Sequence, residues 1–149
     1  MKYALDWLSD PEVFAVNRIA AHSDHKYYRN YYEMEEKNSS FIQNLNGIWK
    51  FAWAKNPSER IEDFYKEDFN TDSFDNIRVP GHIELQGYGK PQYVNTMYPW
   101  EGRETLFPPY ISEKDNPIGS YVRYFDLEDG LKGKDIYICL LYTSPSPRD

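Results

Sequence analysis

The chain has 149 residues, with 17 Lys and Arg against 24 Asp and Glu and a formal net charge of −7. That length suits one domain with its own core and falls short of the roughly 250 residues of a barrel enzyme. The acidic balance repels phosphate backbones and anionic lipid, which argues against nucleic acid and membrane partners.

Met1-Lys2-Tyr3-Ala4 opens directly onto charged sequence without the apolar core of a signal peptide, so the chain reads as soluble and unexported. Up to about Ser40 the sequence is polar and aromatic, with only a weak helical pattern around Val13, Val16 and Ala20. This segment is expected to wrap over another surface. Ala21-His22-Ser23-Asp24-His25 offers two histidines in principle able to share a metal, but without further ligands nearby it reads as a surface turn. The run Glu33-Met34-Glu35-Glu36-Lys37 reads as a solvated face. Asn38-Ser39-Ser40 is a glycosylation sequon that would matter only in a secreted chain.

In Leu45-Asn46-Gly47-Ile48-Trp49-Lys50-Phe51-Ala52-Trp53, a turn dipeptide leads into a strand whose Trp49, Phe51 and Trp53 project to one face and should line a core. Asn56-Pro57-Ser58 ends it, and Ser58 is read as the cap of a short helix with Ile61, Phe64 and Tyr65 on one side. Asn76-Ile77-Arg78-Val79 predicts a strand that stops at Pro80, where a ladder donor is lost. From Pro80 to Gly119 runs a stretch punctuated by Gly and Pro, longer than a passive connector and of the kind that carries function. Within it Asn95 and Trp100 read, on local chemistry alone, as a turn residue and a packed loop anchor. Alternation resumes in Gly119–Leu127, and Asp135-Ile136-Tyr137-Ile138-Cys139-Leu140 reads as a buried strand with an inert thiol. A single Cys excludes an internal disulfide and any Cys-rich zinc site.

Four Trp, 14 Tyr and eight Phe suit strand surfaces, sandwich cores and stacking on sugars. Short strands joined by turns and long loops predict an all-β, antiparallel sandwich of jelly-roll type. No phosphate loop or nucleophile elbow is present, Gly87-Tyr88-Gly89 lacks the third glycine of a dinucleotide fingerprint, and His82-Ile83-Glu84 lacks the cysteine half of a deaminase signature.

Four segments, in order, resemble the start of the glycoside hydrolase family 2 β-galactosidases. They are Asp6-Trp7 with Asn17-Arg18-Ile19-Ala20-Ala21-His22; Leu45 to Phe51; Val79-Pro80-Gly81-His82-Ile83-Glu84-Leu85-Gln86-Gly87-Tyr88 running into Pro91-Gln92-Tyr93-Val94-Asn95; and Asn116-Pro117-Ile118-Gly119-Ser120-Tyr121. The resemblance implies a wrapping segment over residues 1–40, a galactose-binding-like jelly-roll sandwich over 41–139 that is incomplete at its C-terminal end, and a foreign tail over 140–149. It implies a cytoplasmic enzyme that hydrolyses terminal β-galactosides such as lactose and is often a homotetramer. Two glutamates of a downstream catalytic barrel would do the chemistry, with Mg²⁺ and Na⁺ completed by downstream residues. In this reading the fragment is inactive alone, no glutamate here is catalytic, and Asn95 hydrogen-bonds the galactose. Asp6, Asp10 and Val13 lie where relatives can bind an accessory magnesium, although an extra residue in Asp6-Trp7-Leu8-Ser9-Asp10-Pro11 departs from the pattern. The alternatives are a stand-alone carbohydrate-binding module, or the same domain of a β-glucuronidase or β-mannosidase; the Tyr93-x-Asn95 element favours galactose.

Overall fold

The alternation of aromatic and small residues after Asn46-Gly47 becomes the central strand of a sheet. The computed structural model describes residues 5–20, 25–91 and 100–140. Strand β1, Gly47–Ala54, pairs antiparallel on one side with β2, Asp75–Val79, and on the other with β3, Ile118–Val122. The sheet order is β2-β1-β3. With only short helical turns beside it, the described chain is all-β.

Register decides which side chains meet. Trp49 stands opposite Ile77, and Phe51 stands opposite both Asp75 and Tyr121. Directly opposite residues share a face, so Trp49, Phe51, Trp53, Ile77 and Tyr121 lie together, as the period-two pattern predicts. Burial is concentrated at the centre of that face: Phe51 is fully buried and Ile77 is 1% exposed, whereas Trp53 remains 37% exposed. The Phe51 ring sits 4.7 Å from both the Tyr88 and the Tyr121 rings, in edge-on and tilted arrangements that suit aromatic quadrupoles. Fully burying one such side chain contributes roughly 1.5–3 kcal/mol, so this cluster is a main source of the sheet's stability.

The chain divides into two compact units, Met1–His22 with Leu45–Tyr124, and Ser23–Asn44 with Phe125–Asp149. The second unit holds helix α1, Tyr31–Glu35. Its start is a capping arrangement: the Glu33 N–H donates to Asn30 Oδ1 at 3.0 Å, and Glu33 Oε2 accepts from the N–H groups of Arg29 at 2.9 Å and Ser40 at 3.2 Å. The bond from the Arg29 N–H, with those from Ser40, holds the Glu33 carboxyl below its ordinary value, against desolvation that pushes the other way. The Gln43 amide ties the unit together, donating to the Asp126 carbonyl at 2.8 Å and accepting from the Glu128 N–H at 3.1 Å. Arg29 and Lys134 each place a cation about 6 Å from the Phe41 ring centroid.

Several local expectations are corrected. No helix carries Ile61, Phe64 and Tyr65; Pro57–Glu59 is a single 3-10 turn, and Asp63 at φ 60° turns the chain left-handed where a helix would continue. The cap is Asn56, whose Oδ1 accepts from the Glu59 N–H, and Ser58 donates to that same oxygen. Around Val13 to Ala20 there is no helix, and Asn17 has φ 56°. The strand expected over Gly119–Leu127 ends at Val122. Residues 135–140 form no strand, and Cys139 is exposed rather than a core thiol, because no described strand pairs with that segment to cover it. Among the described residues no helix is long and apolar enough to cross a membrane.

Candidate functional site

The long stretch after β2 is held at both ends by side chains that copy backbone bonding. At its start, the Gln86 carboxamide lies beside Arg78. The Arg78 N–H donates to Gln86 Oε1 at 2.8 Å, and Gln86 Nε2 donates to the Arg78 carbonyl at 3.0 Å and more weakly to that of His82 at 3.4 Å. One side chain thus satisfies both backbone groups of a strand residue, as a neighbouring strand would. The 3-10 turn Glu84–Gln86 closes on Gly87 at φ 98°, a conformation that costs glycine nothing. Tyr88 follows. Its ring packs on Phe51 and its hydroxyl donates to Asp75 Oδ2 at 2.9 Å, while burial, then the Asp75 carboxylate, push the phenol pKa up.

At the far end, Ser112 is fully buried. Its hydroxyl donates to Glu104 Oε1 and accepts from the N–H groups of Asp115 at 2.7 Å and Lys114 at 3.2 Å. Arg103 Nη1 pairs with Asp115 Oδ2 at 2.7 Å, and the Trp100 carbonyl accepts from the Arg103 and Glu104 N–H groups. Glu104 is therefore engaged in holding a loop.

Asn95 lies in residues 92–99, outside the described residues, as do Tyr93 and His22. What the structure does place are the two roots of the stretch that carries Asn95, one on Phe51 through Tyr88 and the other on Ser112. Neither anchor was legible in advance. Gln86 and Ser112 have no local periodicity to mark them; only Asn30-x-x-Glu33 had a recognisable capping signature, masked by the reading of Glu33–Lys37 as a solvated face.

Asp10, in the segment where the accessory magnesium is expected, takes part in a local turn. Asp10 Oδ1 accepts from the Glu12 N–H at 3.0 Å, and its backbone forms the turn Trp7–Val13. Among the described residues no three His, Cys, Asp or Glu side chains gather to hold an ion. A cleft of about 220 Å³ lies between the turn Arg60–Tyr65 and the start of β3, from Ile118 to Ser120. Its polar wall bonds to itself: Arg60 donates to the Pro57 carbonyl and to Glu62, and the Tyr65 hydroxyl donates to Asp63.

The sheet and both loop anchors lie inside one recognisable sequence unit. Residues 42–141 match the sugar binding domain of glycosyl hydrolases family 2. The chain belongs to this family. The family 2 chain is 52% identical over 138 residues to a β-galactosidase of Clostridium acetobutylicum, 92% of this chain and 15% of that protein. It is 53% identical over 135 residues to a β-galactosidase of Halalkalibacterium halodurans, 90% of this chain and 13% of that protein. It is 50% identical to a β-galactosidase large subunit of Leuconostoc lactis, covering 93% of this chain and 24% of the subunit. The resemblance read from the four sequence segments is borne out, and this family 2 chain spans between about an eighth and a quarter of the length of these relatives.

Proposed function

We propose that this chain is the amino-terminal sugar-binding portion of a β-galactosidase that hydrolyses terminal, non-reducing β-D-galactose residues of galactosides such as lactose. The observation that carries the reading is about 50% identity, over about 90% of the chain, to proteins named β-galactosidase. The reaction is retaining hydrolysis by two glutamates about 5 Å apart, supplied by a catalytic barrel in the remainder of the protein. Here the chain contributes scaffold and sugar contacts, and by itself is inactive. The three-stranded sheet is part of a galactose-binding-like jelly-roll sandwich over residues 41–139, with residues 1–40 an N-terminal wrapping segment and 140–149 a sequence foreign to the domain. Mg²⁺ and Na⁺ serve the complete enzyme through residues downstream. The enzyme is cytoplasmic, and full-length members of the family are often homotetramers.

Asn95 is the residue assigned to the sugar. A neutral carboxamide pairs with a hydroxyl as donor and acceptor, and a water-excluded pocket penalises any group left unmatched. Two anchored roots, Tyr88 on Phe51 and Ser112 under Glu104, suit a loop that must present one side chain reproducibly. In the complete protein, Asn95→Ala is expected to lower kcat/KM for a β-galactoside about fivefold or more, the size of a lost buried hydrogen bond of roughly 1 kcal/mol. Unchanged kinetics would remove Asn95 from the site. Preference of the complete protein for glucuronides or mannosides over galactosides would overturn the substrate assignment. The matched family is described as sugar binding, and saturable glycan binding by this chain without a catalytic partner would favour a stand-alone module instead.

A further inference from the structure

After β2 the chain runs back along the sheet, and three contacts mark its route. Gln86 bonds to Arg78, which stands opposite Ile48 near the start of β1. The Tyr88 ring packs on Phe51, and its hydroxyl bonds to Asp75, the residue opposite Phe51. At Gly89, with φ 67°, a Cβ would lie 3.8 Å from Trp53 Nε1. The path therefore follows β1 from Ile48 to Trp53. Ile118, where the chain re-enters the sheet, stands opposite Ala54. The stretch between Gly89 and Ile118 thus leaves and rejoins at one end of the sheet, the end where β1 finishes.

The seat of the Gln86 carboxamide is shaped for it. A Cβ at Gly81 would lie 2.8 Å from Gln86 Nε2 and 2.9 Å from the Arg78 carbonyl oxygen, so any larger residue at 81 would collide with the clamp. Its bonds are nonetheless exposed, and water can replace the carboxamide at little cost to stability. What water cannot supply is direction. Gln86 ties the chain to the strand edge, and Tyr88, two residues on, ties it to the sheet face. Two ties on surfaces set at an angle determine both where Gly89 lies and which way the chain leaves it.

We propose that Gln86 is a positioning residue for the sugar contact, setting the place and direction from which the stretch bearing Asn95 departs. This rests on the assignment of the galactose contact to Asn95. A hydrogen bond weakens steeply when its distance or angle is off, so a loose root is felt at the sugar rather than in the stability of the sheet. A positioning residue can forfeit no more than the residue it positions contributes.

A double-mutant cycle in the complete protein tests this, with a nitrophenyl β-galactoside as substrate. Gln86→Ala is expected to lower kcat/KM about twofold to fivefold and no more than Asn95→Ala does, dividing between KM and kcat as in that variant, with the urea midpoint unchanged. Gln86→Glu keeps the acceptor but sets a second acceptor against the Arg78 carbonyl, and is expected to lose as much. In an Asn95→Ala background, Gln86→Ala should change kcat/KM less than about twofold, because nothing remains to be positioned. An impaired Asn95→Ala beside a fully active Gln86→Ala would overturn the positioning role alone. So would equal losses from Gln86→Ala in both backgrounds, or a loss that tracks a fall in the urea midpoint. A fully active Asn95→Ala would sink the sugar assignment and the positioning role with it.

Discussion

Gly119 of β3 faces Phe51, and the contact leaves no room for a methyl group. A Cβ at this position would lie 2.7 Å from Phe51 Cε2, 3.1 Å from Phe51 Cζ and 3.2 Å from Tyr121 Cε2. The ring cannot simply swing away, because Phe51 is fully buried with Tyr88 and Tyr121 each 4.7 Å from it. Overpacking of this kind costs about 1–3 kcal/mol. Replacing glycine by alanine without backbone strain restores roughly 0.4–1 kcal/mol through the unfolded state, so Gly119→Ala is expected to be a net destabilisation of about 1–2 kcal/mol. That is a serious loss against the roughly 5–15 kcal/mol of an ordinary domain. Phe51→Leu withdraws the ring edge and is itself destabilising, since it gives up two aromatic pairs of about 0.5–1.5 kcal/mol each. In that background the added methyl enters space the ring has left, and the cost of Gly119→Ala should largely vanish. Urea unfolding of the four chains, followed by Trp fluorescence, gives the coupling energy directly. Additive costs, or a Gly119→Ala chain as stable as its parent, would refute the packing argument.

Two further outcomes follow from the anchors. The phenols of Tyr88 and Tyr121 are both pushed up, each first by burial, then by Asp75 and Glu84 respectively. A raised acid favours its neutral form in the folded chain, so the stability these groups supply is fully present below about pH 10 and is lost as pH rises through their folded values. The urea midpoint should therefore fall above about pH 10, less steeply in Tyr88→Phe; an equal slope in that variant would contradict the assignment. Ser112→Ala leaves two backbone N–H groups and the Glu104 carboxylate short of a buried partner. It is expected to cost roughly 1–3 kcal/mol and to speed proteolytic cleavage near residue 112; unchanged stability and cleavage would show that the hydroxyl is not a pin.

Much of the sheet was legible because strands announce themselves by period. Trp49, Phe51 and Trp53 at alternate positions after Asn46-Gly47 define both the strand and its inner face, and Pro80 ends β2 for a reason local to the residue. The helix expected over Ile61 to Tyr65 failed because three apolar residues at helical spacing say nothing about Asp63, whose left-handed turn breaks the run. Cys139 was misread because a β-rich apolar segment becomes a strand only when another strand accepts its backbone bonds. No described strand pairs with it, so it is exposed.

The sequence by itself determined the family, the central strands and the stretch in which a sugar contact is to be sought, since these depend on residue type, order and period. Only the tertiary structure decided that Gln86 closes one sheet edge, that Tyr88 roots its loop on Phe51, and that Ser112 pins the far end. Each of those bonds joins groups distant in period or in sequence, and a hydrogen bond is specified by where two atoms finally lie.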